Sequence, residues 1–131
     1  MGRVELIHEN LSYKIRGILY KVHNEIGQYR NEKQYCDALE NEFRKEKMNF
    51  EREKVLDISF DGEKKGRNKL DFLIENKIII EVKAVEVFTK NDYFQCKRYL
   101  VSSQNIKLCL LVNFRSRFCI IKRIINPNLH P

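Results

Sequence analysis

The stretch KLDFLIENKIIIEVKAVE, residues 69–86, decides how the rest of the chain is read. Its apolar residues run as two buried strands, with ENK between them as a turn. Three charges, Asp71, Glu81 and Lys83, interrupt the pattern near its ends, where burying a charge without a partner costs on the order of several kcal/mol. Residues directly opposite in an antiparallel hairpin share a face, and their numbers sum to a constant set by the turn. Centring the turn on Asn76 pairs Ile74 with Ile78, Phe72 with Ile80 and Asp71 with Glu81. That register predicts one apolar face of Leu70, Phe72, Ile74, Ile78, Ile80, Val82 and Ala84, with Asp71, Glu81 and Lys83 gathered at one end of the other face. It also predicts a left-handed residue at Asn76 or Lys77, as a three-residue hairpin loop with a bulge requires.

Two adjacent carboxylates repel each other at neutral pH unless a cation lies between them. Paired oxygen ligands suit magnesium or manganese, and a neighbouring lysine suits a phosphate or an activated water. The plainer alternative is a solvated strand edge or a structural ion pair, because a D…ExK spacing recurs by chance.

Upstream, residues 5–26 set Leu11, Ile15, Ile18, Leu19, Val22 and Ile26 on one helical stripe, which Gly27 ends. A second helix is expected over 31–48, capped by Asn31, with Tyr35, Ala38, Leu39 and Phe43 turned inward. The short GQYR connection makes the two helices neighbours. The period changes at Phe50, and VLDISF (55–60) reads as the first strand of a meander with the hairpin. Downstream, a third helix over 90–103 precedes two strands, IKLCLLVNF (106–114) and RFCIIKRII (117–125), joined around Arg115 and Ser116. The order ααβββαββ predicts one α+β domain over 1–131, with a central mixed sheet of about five strands flanked by helices and a frayed tail at 126–131.

The chain has 131 residues, 43% hydrophobic and 33% charged, and a chain of that length buries roughly two-thirds of its unfolded surface. Its formal charge of +7 favours polyanionic partners, nucleic acid ahead of an anionic membrane surface. No apolar run approaches the ~20 residues that span a bilayer. The opening MGRVELIHENLSYK places charges where a signal peptide is apolar, so a cytoplasmic location is expected. Cys36, Cys96, Cys109 and Cys119 show neither a CxxC pair nor zinc spacing and read as small buried apolar residues. The loop EKKGRNK brings Lys64, Lys65, Arg67 and Lys69 up to the Asp71 strand, where they could track a nucleic-acid backbone; Arg115, Arg117, Lys122 and Arg123 are weaker candidates.

Two further stretches carry a resemblance. NEIGQYRNEKQYCDAL, residues 24–39, resembles the signature of the GxxExxY family of small prokaryotic proteins, a glycine turn leading into a helix, here with Gly27, Glu32 and Tyr35. That family is assigned to the PD-(D/E)XK nuclease superfamily, whose Asp plus ExK core is similar to Asp71, Glu81 and Lys83. The helix NDYFQCKRYL carries Gln95 and Tyr99, similar to the QxxxY element of RecB-like members. The likeness runs from about residue 11 to 125.

What the resemblance implies is a restriction-endonuclease-like core and a magnesium- or manganese-dependent nuclease acting on DNA, ahead of RNA, as a monomer or homodimer. Asp71, Glu81, the Val82 carbonyl and Glu32 would then hold metal, Lys83 would orient the attacking water, and Gln95 and Tyr99 would position the phosphate or the ligands. A rival of another class keeps the fold as a nucleic-acid-binding or regulatory module without turnover. Tyr35 reads equally well as a core residue of its helix.

Overall fold

A computed structural model describes residues 7–129. The first helix, α1, runs Glu9–Ile26 and buries Ile15, Ile18, Leu19 and Val22. It starts later than the apolar stripe suggests because His8 is left-handed at φ 51°; residues 5 and 6 lie outside the described residues. The second helix, α2 (Glu32–Lys45), is capped reciprocally by Asn31 and Gln34, which satisfies two of its orphan groups. It stops short of residue 48 because Lys47 turns left-handed at φ 55° and the Met48 N–H closes back on the Phe43 carbonyl at 3.0 Å.

Five strands follow: β1 (Phe50–Val55), β2 (Lys69–Ile74), β3 (Ile78–Lys83), then β4 (Leu108–Asn113) and β5 (Ile120–Ile125) after helix α3 (Lys90–Ser103). They lie side by side in chain order. Only β3 and β4 are parallel, because α3 carries the chain across between them. These two central strands read IIIEVK and LCLLVN and are almost wholly buried, the near-continuous apolar composition of strands covered on both faces. The helices α1 and α2 pack with Phe72, Ile74, Ile78, Ile80, Val82, Leu110 and Val112. Residues Cys96, Tyr99 and Leu100 of α3 pack with Leu70, Leu73, Ile79, Cys109 and Leu111 in a second cluster.

The first strand occupies 50–55, not 55–60. Its inward positions are Phe50, Arg52 and Lys54, alternating with exposed Glu51, Glu53 and Val55. Arg52 stands where an apolar residue is expected because its guanidinium meets Asp37 of α2 at 2.7 Å and Glu40 at 3.6 Å. Ile58 and Phe60, which suggested a strand, are instead exposed in the 56–68 loop.

The hairpin register is the expected one, Ile74 with Ile78 and Phe72 with Ile80. In the turn, Asn76 is left-handed at φ 55°, as expected of Asn76 or Lys77, and Glu75 before it is left-handed as well at φ 53°, which the sequence did not indicate. Glu75 is held there by Asn49, whose backbone N–H donates to Glu75 Oε1 at 2.8 Å and whose carbonyl accepts the Glu75 N–H at 2.8 Å. A second difference concerns Leu70, which joins the α3-side cluster with Leu73 and Ile79 instead of the face of Phe72. The alternation breaks next to Glu53 of β1, which is left-handed at φ 54° and lies between the paired rungs Arg52–Phe72 and Lys54–Leu70. Of the tail expected to fray over 126–131, Asn126 is buried and donates through Nδ2 to the Leu100 and Ile106 carbonyls at 3.0 and 2.8 Å. Residues Pro127–Leu129 form a 3₁₀ turn, and 130 and 131 lie outside the described residues.

Candidate active site in the strand fork

The backbone pairing of β2 with β3 ends at Phe72 and Ile80, and side chains link the strands at the next rung. The Asp71 N–H donates to Glu81 Oε2 at 2.8 Å, and the Val82 N–H donates to Asp71 Oδ2 at 2.8 Å. Each carboxylate thus takes a backbone donor of the opposite strand, which satisfies donors that the spreading backbones leave. Asp71 Oδ1 and Glu81 Oε1 stay outside these bonds. The three charges of the hairpin are accommodated here without Lys83 pairing to either carboxylate of the hairpin: its Nζ donates to Gln95 Oε1 of α3 at 2.7 Å and forms an ion pair with Asp92 at 3.8 Å.

The carboxylates sit in different surroundings. Glu81 is 3% exposed, and burial first, then the neighbouring Asp71, pushes its pKa up to about 9. Burial also raises Asp71, with Glu32 and Glu53 adding to the effect against the Val82 N–H and Lys83. The desolvated pair therefore favours retaining a proton at neutral pH. Asp71 lines a cavity of about 220 Å³ together with Glu32, Lys33, Cys36, Arg52, Glu53 and Lys69. Burial pushes the Cys36 thiol up to about 12, so this cysteine is protonated in the cavity wall and offers no thiolate.

Glu32 stands at the first turn of α2, and its Oε2 accepts the Ala84 N–H just beyond β3 at 3.4 Å. It shares the cavity with Asp71 but forms no three-carboxylate cluster: among the described residues no group of three His, Cys, Asp or Glu side chains is placed to hold a metal ion. Tyr35 is fully buried, stacked on Phe114 with ring centres 4.4 Å apart. Its hydroxyl donates to the Gly27 carbonyl at 2.6 Å and accepts the Arg30 N–H at 3.3 Å. The glycine, with φ 79°, and the tyrosine together fix the loop that delivers Glu32, so Tyr35 serves the site from the core. From α3, Gln95 Nε2 donates to the Tyr99 hydroxyl at 3.0 Å, which extends the Lys83–Gln95 contact into a chain.

Of the basic candidates, Lys69 lines the Asp71 cavity, while Lys64, Lys65 and Arg67 are exposed on the loop before it. Arg115 borders a cleft next to Glu32, and Arg117 lies over its neighbour Phe118. Lys122 belongs to β5 opposite Leu111. Arg123 is engaged in the fold, donating to Ser12 Oγ at 3.1 Å and to the Ile7 carbonyl at 2.8 Å.

Two residues near the site escaped the sequence reading. Asp92 closes a capping box with Thr89, which is its visible signal, but its approach to Lys83 needs the fold. Asn113 is buried at the end of β4 and accepts the Val85 and Arg115 N–H groups at 3.1 Å each, while its Nδ2 donates to the Val85 carbonyl at 2.8 Å. It thereby holds the segment leaving β3 against the loop that carries Arg115.

The family model described as the PD-(D/E)XK nuclease superfamily matches residues 9–124. No curated protein and no solved structure matches the chain.

Proposed function

From a chain that belongs to the PD-(D/E)XK nuclease superfamily, we propose a metal-dependent nuclease that hydrolyses phosphodiester bonds, with Asp71, Glu81 and Lys83 at its centre. The observation that carries this reading is the strand fork itself. Two carboxylates are packed side by side in a poorly solvated gap, each with one oxygen outside its backbone hydrogen bond, and a lysine two residues on is turned to α3 rather than spent on them. The arrangement of Gly27, Glu32 and Tyr35 supports the narrower reading of a GxxExxY-type member.

The donor set fits magnesium or manganese. Magnesium is commonly held by one or two carboxylates, with waters and substrate oxygens completing its shell, and Asp71 and Glu81 supply that number. The Val82 carbonyl is the backbone ligand in this assignment, and Glu32, which lines the same cavity as Asp71, would reach the ion's water shell or a second ion. The ion, when bound, polarises the scissile phosphate and lowers the pKa of a bound water. Binding requires Glu81 to release the proton that burial favours, so ligation strengthens with rising pH. Lys83, held by Gln95 and Asp92, orients the attacking water or steadies charge developing on the phosphate. Gln95 and Tyr99 keep the ammonium aimed, and Lys69 borders the route by which a phosphate reaches Asp71. DNA is the expected substrate ahead of RNA.

Labelled DNA and RNA, single-stranded and duplex, incubated with magnesium, manganese or EDTA, test this directly. Cleavage is expected only with metal, and Lys83→Ala should slow it by roughly 100-fold or more with little change in nucleic-acid binding. Equal cleavage in EDTA, or full activity in Lys83→Ala, would refute the assignment. A non-cleaving module with this fold would bind nucleic acid equally with and without metal.

A further inference from the structure

Beside the carboxylate cavity lies a larger cleft of about 730 Å³, whose walls include Tyr29, Arg30, Lys33, Arg115 and Glu32. Glu32 and Lys33 line both concavities, so the two adjoin at the first turn of α2. Tyr29 is 91% exposed, unusual for a large aromatic ring on a short connection between two packed helices. Its backbone is nevertheless fixed on both sides: Gly27 is held by the Tyr35 hydroxyl at 2.6 Å and Asn31 by the Gln34 side chain at 3.0 Å. Cations outnumber the one carboxylate around it, and no ion pair among the described residues engages Arg30, Lys33 or Arg115.

We propose that this cleft seats an unpaired stretch of nucleic acid, with a base stacked on Tyr29 and the flanking phosphates met by Lys33 and Arg115. The inference deepens the nuclease reading by naming its substrate class, single-stranded nucleic acid or a single-stranded end, and it rests on that reading for the link to hydrolysis. The physical ground is a division of labour. Uncommitted cations beside a groove attract any phosphate backbone, but an aromatic face offered to solvent gains only from an exposed base face, which a duplex hides within its own stack. Stacking is tolerant of base identity, so the seat selects strandedness and not sequence. Because the loop is already held, Tyr29 binds without the cost of ordering a flexible segment.

The test compares binding of the full chain, in EDTA, to a fluorescent 12-nucleotide single strand and to a blunt duplex, using wild type, Tyr29→Ala, Tyr29→Phe and Lys33→Ala/Arg115→Ala. Tyr29→Ala should weaken single-strand binding by roughly 5- to 100-fold and duplex binding by less than about twofold, with Tyr29→Phe near wild type. The double variant should weaken both and flatten their salt dependence. Equal effects of Tyr29→Ala on the two ligands, no effect on either, or a loss in Tyr29→Phe matching that in Tyr29→Ala would overturn the seat. The side chain is exposed, and melting curves of each variant exclude unfolding as the cause. Metal-dependent cleavage is scored separately: if wild type cleaves but Tyr29→Ala binds single strands normally, the seat fails and the nuclease reading stands. If nothing is cleaved while Tyr29→Ala loses single-strand binding, the nuclease reading fails and the seat stands.

Discussion

Glu81 concentrates the electrostatic tension of the molecule, being a carboxyl buried to 3% exposure beside a second carboxyl. Its pKa is raised to about 9 in the fold, against 4.5 for an ordinary Glu. A raised folded-state pKa means that the native protein holds the proton more tightly than the unfolded chain. The stabilising contribution is therefore complete below about 4.5 and is lost as pH rises toward about 9. In EDTA, wild type should lose stability across that window. Glu81→Gln, which keeps the oxygen that accepts the Asp71 N–H, should flatten the profile and be more stable by roughly 1–2 kcal/mol at pH 8, since one pKa unit corresponds to about 1.4 kcal/mol. Urea unfolding at several pH values checks this, and a wild-type profile that rises with pH would contradict it. Asp71, Glu81 and Lys83 were legible from the sequence because a charge inside an apolar strand needs a reason. Their mutual arrangement was less so: Lys83 faces Gln95 and Asp92 rather than the carboxylates, a choice made by α3 and invisible in the hairpin alone.

The elements differ in how far local pattern defined them. Helix α3 fills the expected 90–103, and the cap of α2 falls on the expected Asn31, because capping chemistry is local. The edge strand β1 was misplaced by local pattern for a tertiary reason. FEREKV offers a single inward apolar residue, and what turns Arg52 inward is Asp37, a residue of another helix. Leu70 departs from its expected face next to the rung where Glu53 of the neighbouring strand is left-handed, an irregularity that no reading of the hairpin by itself could supply. The loop 27–31 depends on one hydroxyl. Tyr35→Phe keeps the stack on Phe114 and removes both contacts of that hydroxyl, so it should cost about 1 kcal/mol and reduce cleavage more than stability alone explains, through the misplacement of Glu32. Chemical denaturation beside a cleavage assay separates the two effects, and full activity in Tyr35→Phe would remove the loop from the account.

At the scale of the whole molecule, the net charge of +7 and the exposed Lys64, Lys65 and Arg67 predict binding dominated by phosphate contacts. Affinity should fall steeply with salt, and replacing those three by alanine should reduce the slope of log K against log salt by about 2–3; an unchanged slope would remove the loop from the interface. No helix among the described residues is long and apolar enough to cross a membrane, and the proposed chemistry centres on the fork that β2 and β3 open between the two helical layers. Whether that fork is a metal site is decided by thermal melts of wild type and Asp71→Asn, each in EDTA and in millimolar magnesium. Asparagine keeps an oxygen for the Val82 N–H and removes one of two crowded acids. The variant should therefore match or modestly exceed wild type in EDTA, while only wild type gains stability from magnesium. A variant destabilised equally in both conditions, with wild type indifferent to magnesium, would show that Asp71 serves the fold and not a metal.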